Sequence, residues 1–258
     1  MTRVLTALVM APAAVALVLW APGWAFLPVV ALVALLSYRE YGQLVERHGI
    51  AAVGPVGYAA GLVVLLARDS VGLLAVTLLT LAALVLAISQ RPLSAALPRA
   101  SALILGVVYV FGAWRCGIEL RELNRWWLLF ALAVNWVGDT AAFYVGRGLG
   151  RHKLAPEVSP AKTWEGAAAS MLAALLFGLA YARGFMPSLA PWQALAAAAA
   201  SNLAGQLGDL AESALKRGAG VKDSGGLFPG HGGCLDRTDG VLFTMPVLLA
   251  LLSRLGGR

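Results

Sequence analysis

The chain has 258 residues, of which 60% are apolar and only 13% charged, and its mean hydropathy is +0.78. Soluble domains carry about 25% charged residues and cannot hide so much apolar surface from water, so the composition excludes a disordered chain and a soluble globular fold and calls for an integral membrane protein. The net charge of +7 lies between apolar runs, which suits membrane topology and anionic lipid or nucleotide rather than nucleic acid.

Apolar runs near 20 residues predict spans at about 4–21, 24–41, 51–67, 71–88, 98–114, 126–146, 164–183, 191–211 and 239–256. The expected fold is all-α, a polytopic membrane protein with eight or nine transmembrane helices. Arg3 before an apolar stretch also fits a signal peptide, but the many later spans favour a retained first helix. With nine spans and the N-terminus inside, 13 Lys and Arg residues fall in cytoplasmic segments and 7 outside, which supports that orientation. The 115–125 connection is the weak point, because Arg115, Arg121 and Arg125 fall outside. Cys116 and Cys234 form no metal-binding pattern, are assigned to opposite membrane faces and are expected to stay unpaired.

Polarity divides the chain. Residues 1–125 carry almost no buried polar groups and read as scaffold; residues 126–258, with cytoplasmic loops at 147–163 and 213–238, read as the working half. On the span ending near 211, Asn202, Gln206, Asp209 and Ser213 are spaced i, i+4, i+7 and i+11. At 100° per residue they stay within about 60° of one another, a single polar stripe. Asn135 and Asp139 repeat the i, i+4 spacing on another span. A carboxylate at membrane depth needs a partner or a wet cavity and is a functional candidate by default; the Asn and Gln residues serve equally well as interhelical hydrogen-bonding groups.

From Asp209 to Asp239 the chain carries four basic and five acidic residues among many glycines. Hard Mg²⁺ takes carboxylate oxygens and keeps substrate phosphates as its other ligands, Lys and Arg suit the remaining phosphate oxygens, and glycines allow close backbone approach to a ligand. The composition describes a metal-assisted phosphate site. Asp236 and Asp239 flank the start of the last span, where a helix N-terminus also favours anions simply as caps. Ser159-Pro160 is read as a helix start, Arg151 and Lys153 as positive-inside residues with access to the same face, and His231 as a phosphate contact or a turn residue. Asp209 and Asp236 are expected on one membrane face, where they can converge on one ion.

The run Ser213-x-Leu-Lys216-Arg217-x4-Lys222-Asp223-x-Gly225-x2-Phe228-Pro229-x-His231-Gly232-Gly233-x2-Asp236-Arg237-x-Asp239 closely resembles the signature of the phosphatidate cytidylyltransferases, or CDP-diacylglycerol synthases, of bacterial type. Upstream, Asp139…Gly146-Arg147…Ser159-Pro160-x-Lys162-Thr163-x-Glu165-Gly166 is similar to the same family's second block. Two positions depart: Cys234 stands where an aliphatic residue is usual, and Ala161 where a basic or polar one is common. The resemblance covers roughly the C-terminal half.

It implies a membrane enzyme of phospholipid synthesis that joins CTP and phosphatidate into CDP-diacylglycerol and pyrophosphate. Lys216, Arg217, Lys222, Asp223 and Arg237 would act catalytically. Asp139, Arg147, Ser159, Lys162, Thr163, His231, Gly232 and Gly233 would bind substrate, and Asp209, Asp236 and Asp239 would hold Mg²⁺, with room for a second cation. The implied partners are CTP, phosphatidate and membrane lipids, with no nucleic acid and a homodimer as an open assembly; the implied location is the cytoplasmic (inner) membrane. The rivals are a CTP-dependent lipid alcohol kinase, which would release CDP, and a small transporter, which would spread polar residues through the whole membrane thickness.

Overall fold

Apolar runs interrupted by Pro, Gly and charge become helices broken at those interruptions. The computed structural model describes residues 2–51, 54–67, 72–88, 92–227 and 232–255. In chain order the helices are α1 (Thr2–Trp20), α2 (Gly23–Arg47), α3 (Gly54–Leu66), α4 (Gly72–Ile88), α5 (Ala96–Gly106), α6 (Ala113–Leu123), α7 (Arg125–Leu149), α8 (Trp164–Phe185), α9 (Pro191–Gly218) and α10 (Asp239–Arg254). A π-helical stretch, Val107–Gly112, joins α5 to α6 in one continuous rod. Among the described residues, four helical segments are long and apolar enough to cross a membrane: Gly23–Arg47, Leu93–Leu123, Arg125–Leu149 and Trp164–Phe185. Shorter apolar helices accompany them. On α4, Leu74, Leu78, Leu81 and Val85 form a stripe, each more than half exposed, as a lipid-facing surface requires.

Two expectations change. The 115–125 connection is helix as far as Leu123, with only Asn124 before α7. Its arginines are used structurally: Arg121 Nε donates to Val18 O at 2.8 Å, its Nη2 to Ala21 O, and Arg125 Nη1 to Leu19 O at 2.6 Å. These are carbonyls at the C-terminal end of α1, which have no intrahelical partner and favour cations. Arg121 and Arg125 therefore have a structural use that is independent of topology.

The 147–163 loop holds a small antiparallel hairpin, β1 (Lys153–Ala155) with β2 (Ser159–Thr163), pairing Lys153 with Thr163 and Ala155 with Ser159. Ser159-Pro160 therefore lies in a strand and does not start a helix. In a two-stranded sheet every strand is an edge, where Pro's missing N–H is tolerated. The helix starts at Trp164, because the Thr163 hydroxyl caps it by accepting from Gly166 N at 3.1 Å.

The chain forms two compact units, neither a continuous half: residues 1–3, 22–115 and 215–237, and residues 4–21, 116–214 and 238–258. In the first, Tyr38 on α2 packs against Tyr58 at 5.0 Å and Phe111 at 5.2 Å between ring centres, and the Tyr41 hydroxyl donates to Ala102 O at 2.9 Å. Gly57 and Gly61 pass so close to these rings that a Cβ would overlap them. In the second, α7 and α8 pair along their length. Phe130 stacks on Phe177 at 6.0 Å, and the Tyr181 hydroxyl donates to Trp126 O at 2.9 Å. Lipid tails are as apolar as leucine, so close packing and interhelical hydrogen bonds hold such helices together.

Candidate functional site

The polar stripe on α9 does two jobs. Asn202 Nδ2 donates to Ser170 Oγ on α8 at 2.8 Å, and Gln206 Nε2 donates to Asn202 Oδ1 at 2.7 Å. On α7, Asn135 Nδ2 donates to Thr244 Oγ1 on α10 at 3.0 Å. These amides are interhelical fasteners. One turn further along α9, Asp209 is different. Its Oδ2 pairs with Lys162 Nζ at 2.7 Å, its Oδ1 accepts a long hydrogen bond from Ser213 at 3.3 Å, and its side chain remains 36% exposed.

Asp209 and Lys162 face a cavity of about 720 Å³ within the second unit. Asp139, Arg147 and Lys153 line it, together with Ser159, Thr163 and Gln206. The structure thus gathers Asp139, Arg147, Ser159, Lys162, Thr163 and Asp209, which come from three separate stretches of sequence. The hairpin sets Thr163 against Gly146 and Gly150 at the end of α7 and Lys162 against Asp209 on α9. His152 braces it, with its Nδ1 2.6 Å from Glu165 Oε1 and its backbone N–H donating to the same carboxylate at 3.2 Å. Asp239 belongs to this unit as well. A Cβ on Gly208 would lie 2.7 Å from the Asp239 carbonyl, so the start of α10 packs on α9 beside Asp209.

In the first unit the loop after α9 is built around two buried carboxylates. Asp236 Oδ1 accepts from Lys216 Nζ at 2.5 Å. Its Oδ2 accepts from Ser224 N at 2.8 Å, Ser224 Oγ at 2.9 Å and Gly233 N at 2.7 Å. Burial works to raise the Asp236 carboxyl, but the hydrogen bonds from Lys216, Gly233 and Ser224 and the lysine charge outweigh it and hold the group below its ordinary range. The second carboxylate is Glu40 on α2. Its Oε1 accepts from Cys234 N at 2.9 Å, and its Oε2 from Leu235 N at 2.8 Å and Ser224 Oγ at 3.0 Å.

Glycines permit this wrapping. Gly232 has φ of +77°, and a Cβ there would lie 2.5 Å from Asp236 Oδ2; a Cβ on Gly233 would overlap Glu40. What these glycines approach is the protein's own carboxylates. Arg217 Nη1 donates to Val221 O at 3.1 Å, which closes the turn after α9. Asp223 faces a separate cavity of about 680 Å³ with Gln43, Glu46 and Arg47. Lys222 and Arg237 lie on the same loop. His231 falls outside the described residues.

Among the described residues no three His, Cys, Asp or Glu side chains stand together as a ligand set. Magnesium is usually held by one or two carboxylates plus substrate phosphates, so a complete protein cage is not required. Asp209 fits that role: it is part-exposed, faces a cavity and has a lightly used Oδ1. Asp239 stands beside it on the next helix. Asp236 fits poorly. Its Oδ2 is filled by three donors, so a cation could reach it only through Oδ1, after displacing Lys216.

Glu40 was missed because the first 125 residues read as apolar scaffold. The signal was present: Glu40 is a carboxylate inside a predicted span, flagged by the same rule that singled out Asp209. Ser37, Tyr38 and Tyr41, on the same helix, are also buried. Cys116 and Cys234 are both free thiols, as expected.

A family model described as the cytidylyltransferase family matches residues 1–255. The phosphatidate cytidylyltransferase of Bacillus subtilis is 41% identical over 152 residues, 58% of this chain and 56% of that protein. That of Staphylococcus saprophyticus is 40% identical over 149 residues, 58% and 57% of the two. That of Staphylococcus epidermidis is 33% identical over 230 residues, 86% and 87%. The chain thus spans a little over half the length of the first two relatives and most of the third.

Proposed function

We propose that this chain, which belongs to the cytidylyltransferase family, transfers the cytidylyl group of CTP to phosphatidate and releases pyrophosphate and CDP-diacylglycerol. The observation that carries this reading is the cavity between hairpin, α7 and α9, which is lined by the carboxylates Asp139 and Asp209 and the cations Arg147, Lys153 and Lys162. Such a lining suits a polyanion delivered with a divalent cation.

In the proposed reaction a phosphate oxygen of phosphatidate attacks the α-phosphorus of CTP. The bond from that phosphorus to the β-phosphate bridging oxygen breaks, and pyrophosphate carries the electron pair away. A phosphomonoester has a second pKa near 6, so the nucleophile is largely dianionic at neutral pH and needs no general base. The difficulty is bringing anion to anion in line.

Lys162, Arg147 and Lys153 neutralise phosphate oxygens in the cavity, and the Ser159 and Thr163 hydroxyls fix their orientation. Lys216, Arg217, Lys222 and Arg237, with Asp223, are assigned to the phosphates by the signature they belong to, as are the backbone of Gly232 and Gly233 and the side chain of His231. Asp209 and Asp239 would hold Mg²⁺; Asp236 is a further candidate by the signature it belongs to, and only its Oδ1, held by Lys216, could take a cation. When bound, the ion supplies charge neutralisation on the phosphates and fixes their geometry.

The same reading places the helices across a bacterial cytoplasmic membrane in eight or nine spans, with the 147–163 and 213–238 loops toward the cytoplasm, where CTP is. The 13-to-7 split of basic residues supports that orientation.

The test is purified protein with CTP, phosphatidate and Mg²⁺, reading lipid and nucleotide products together. Equal amounts of CDP-diacylglycerol and pyrophosphate, abolished by a chelator, are expected. Release of CDP with a phosphorylated lipid alcohol, or no transfer at all, would overturn the reading.

A further inference from the structure

We propose that Glu40, from the N-terminal part of the chain, is a positioning residue for the transfer reaction: its carboxylate fastens the glycine-rich loop that carries Lys222, Asp223 and Arg237. The inference rests on the function proposed above.

Glu40 is 6% exposed, yet it lies far in sequence from everything it binds. Its two oxygens take three donors from residues 224–235, two of them backbone N–H groups. Those amides, on Cys234 and Leu235, open the short helical turn Leu235–Arg237, which bears Asp236 and Arg237. Without Glu40 both amides would lose a buried carboxylate acceptor, a costly change.

Ser224, on the other limb of the loop, ties the arrangement together. Its hydroxyl stands 3.0 Å from Glu40 Oε2 and 2.9 Å from Asp236 Oδ2, and its backbone N–H is held by Asp236. A hydroxyl has one proton, so it serves one carboxylate at a time, while Lys216 balances the charge on Asp236. Both described limbs, 215–227 and 232–237, are thus registered by Glu40 and Asp236 acting together. Two glycines make room: a Cβ on Gly225 would lie 2.6 Å from Glu40 Oε1, and one on Gly233 would overlap the carboxylate. The glycines of the signature and the acid on α2 are parts of one fitting.

The chemistry required of position 40 is narrow. Each of its oxygens faces a backbone N–H, so the position needs an acceptor on both sides. Glutamine has the same shape but supplies an NH₂ on one side. Whichever way that amide turns, it sets a donor against either the Cys234 or the Leu235 N–H. Aspartate keeps two acceptors but stops one methylene short.

The experiment uses the full-length protein in detergent or bilayer discs and compares Glu40→Gln, Glu40→Asp and the parent. Two quantities are read well below the melting temperature of each: amide hydrogen exchange over 232–237, with α8 as the reference segment, and cytidylyl transfer per folded molecule. Glu40→Gln is expected to speed exchange over 232–237 at least tenfold, leave α8 unchanged and lower turnover at least tenfold. Glu40→Asp should recover part of both.

A merely stabilising role would lower the melting temperature and leave turnover per folded molecule intact, which would overturn the proposal. So would a loosened loop with normal turnover, or lost turnover with a loop still protected. If Glu40→Gln does not fold, Glu40→Asp alone decides, through the same two readings. If the parent transfers no cytidylyl group, the function falls, while exchange over 232–237 still reports whether Glu40 fastens the loop.

Discussion

At the residue scale, two carboxylates expected to converge on one ion meet opposite surroundings. Asp209 keeps one oxygen on Lys162 and opens to the cavity, so its charge is available to an ion. Asp209→Asn preserves size and one acceptor but removes the charge. A positioned metal lowers a phosphoryl-transfer barrier by several kcal/mol, and about 1.4 kcal/mol is a factor of ten in rate, so turnover should fall roughly a hundredfold while the protein stays folded. Glu157→Gln, at an exposed position between the hairpin strands, should change little and serves as control. Near-normal turnover of Asp209→Asn at limiting Mg²⁺ would move the metal site elsewhere.

Asp236, by contrast, acts on the loop through four donors, and its carboxyl is held below the ordinary range. A group whose folded pKa is lowered adds stability that is fully present above its unfolded value, about 3.9, and is lost as pH falls through the folded value. The parent should therefore lose thermal stability between about pH 5 and pH 3 more steeply than Asp236→Asn. Parallel melting curves for the two over that range would contradict this account.

At the element scale, the hairpin and the start of α8 share one residue. Thr163 closes β2 against Lys153, caps α8 through Gly166 and lines the cavity. Thr163→Ala removes the cap, which costs about 1 kcal/mol. The weakened cap lies next to Lys162, which pairs with Asp209, so the loss of transfer should exceed what the lost stability explains. Thr163→Ser keeps the hydroxyl and should stay close to the parent in melting temperature and turnover; a Ser variant as damaged as Ala would show that the methyl group matters more than the cap. The amide fasteners are weaker individually. Hydrogen bonds such as Asn202 to Ser170 average about 0.6 kcal/mol between membrane helices, so Asn202→Ala should soften α8–α9 packing without abolishing transfer.

For the whole molecule, the contact grouping is the informative feature. The charged loop 215–237 groups with residues 22–115, while the cavity residues 139–209 form part of the other unit. The polarity boundary at residue 125 and the contact grouping are different divisions of the chain, and α9 runs from one unit into the other between Ala214 and Leu215. Orientation is tested on the intact protein with Cys116 and Cys234 changed to Ser. Single cysteines placed by Glu157→Cys and Lys222→Cys should both label with a membrane-impermeant thiol reagent in inside-out vesicles and not in intact cells. Labelling of either from outside would reverse the proposed topology.

The sequence by itself determined that the chain is a membrane protein, because 13% charge and long apolar runs leave no soluble alternative. It also located most helices and singled out the candidate residues of the proposed phosphate site, because unlike charges interleaved with glycine over 27 residues are a local, one-dimensional signal. Periodicity singled out the α9 stripe, since i, i+4, i+7 and i+11 is a property of the helix alone. The hairpin was not legible: Ser159-Pro160 satisfies local rules for a helix start, and only pairing with Lys153–Ala155 makes it a strand. Nor was the use of Arg121 and Arg125 as caps for α1, which depends on a helix about 100 residues away. Glu40 is the sharpest case. The sequence displays the acid, but its partners are 184 to 195 residues distant, and a buried carboxylate acquires its role only from the donors that tertiary folding brings to it.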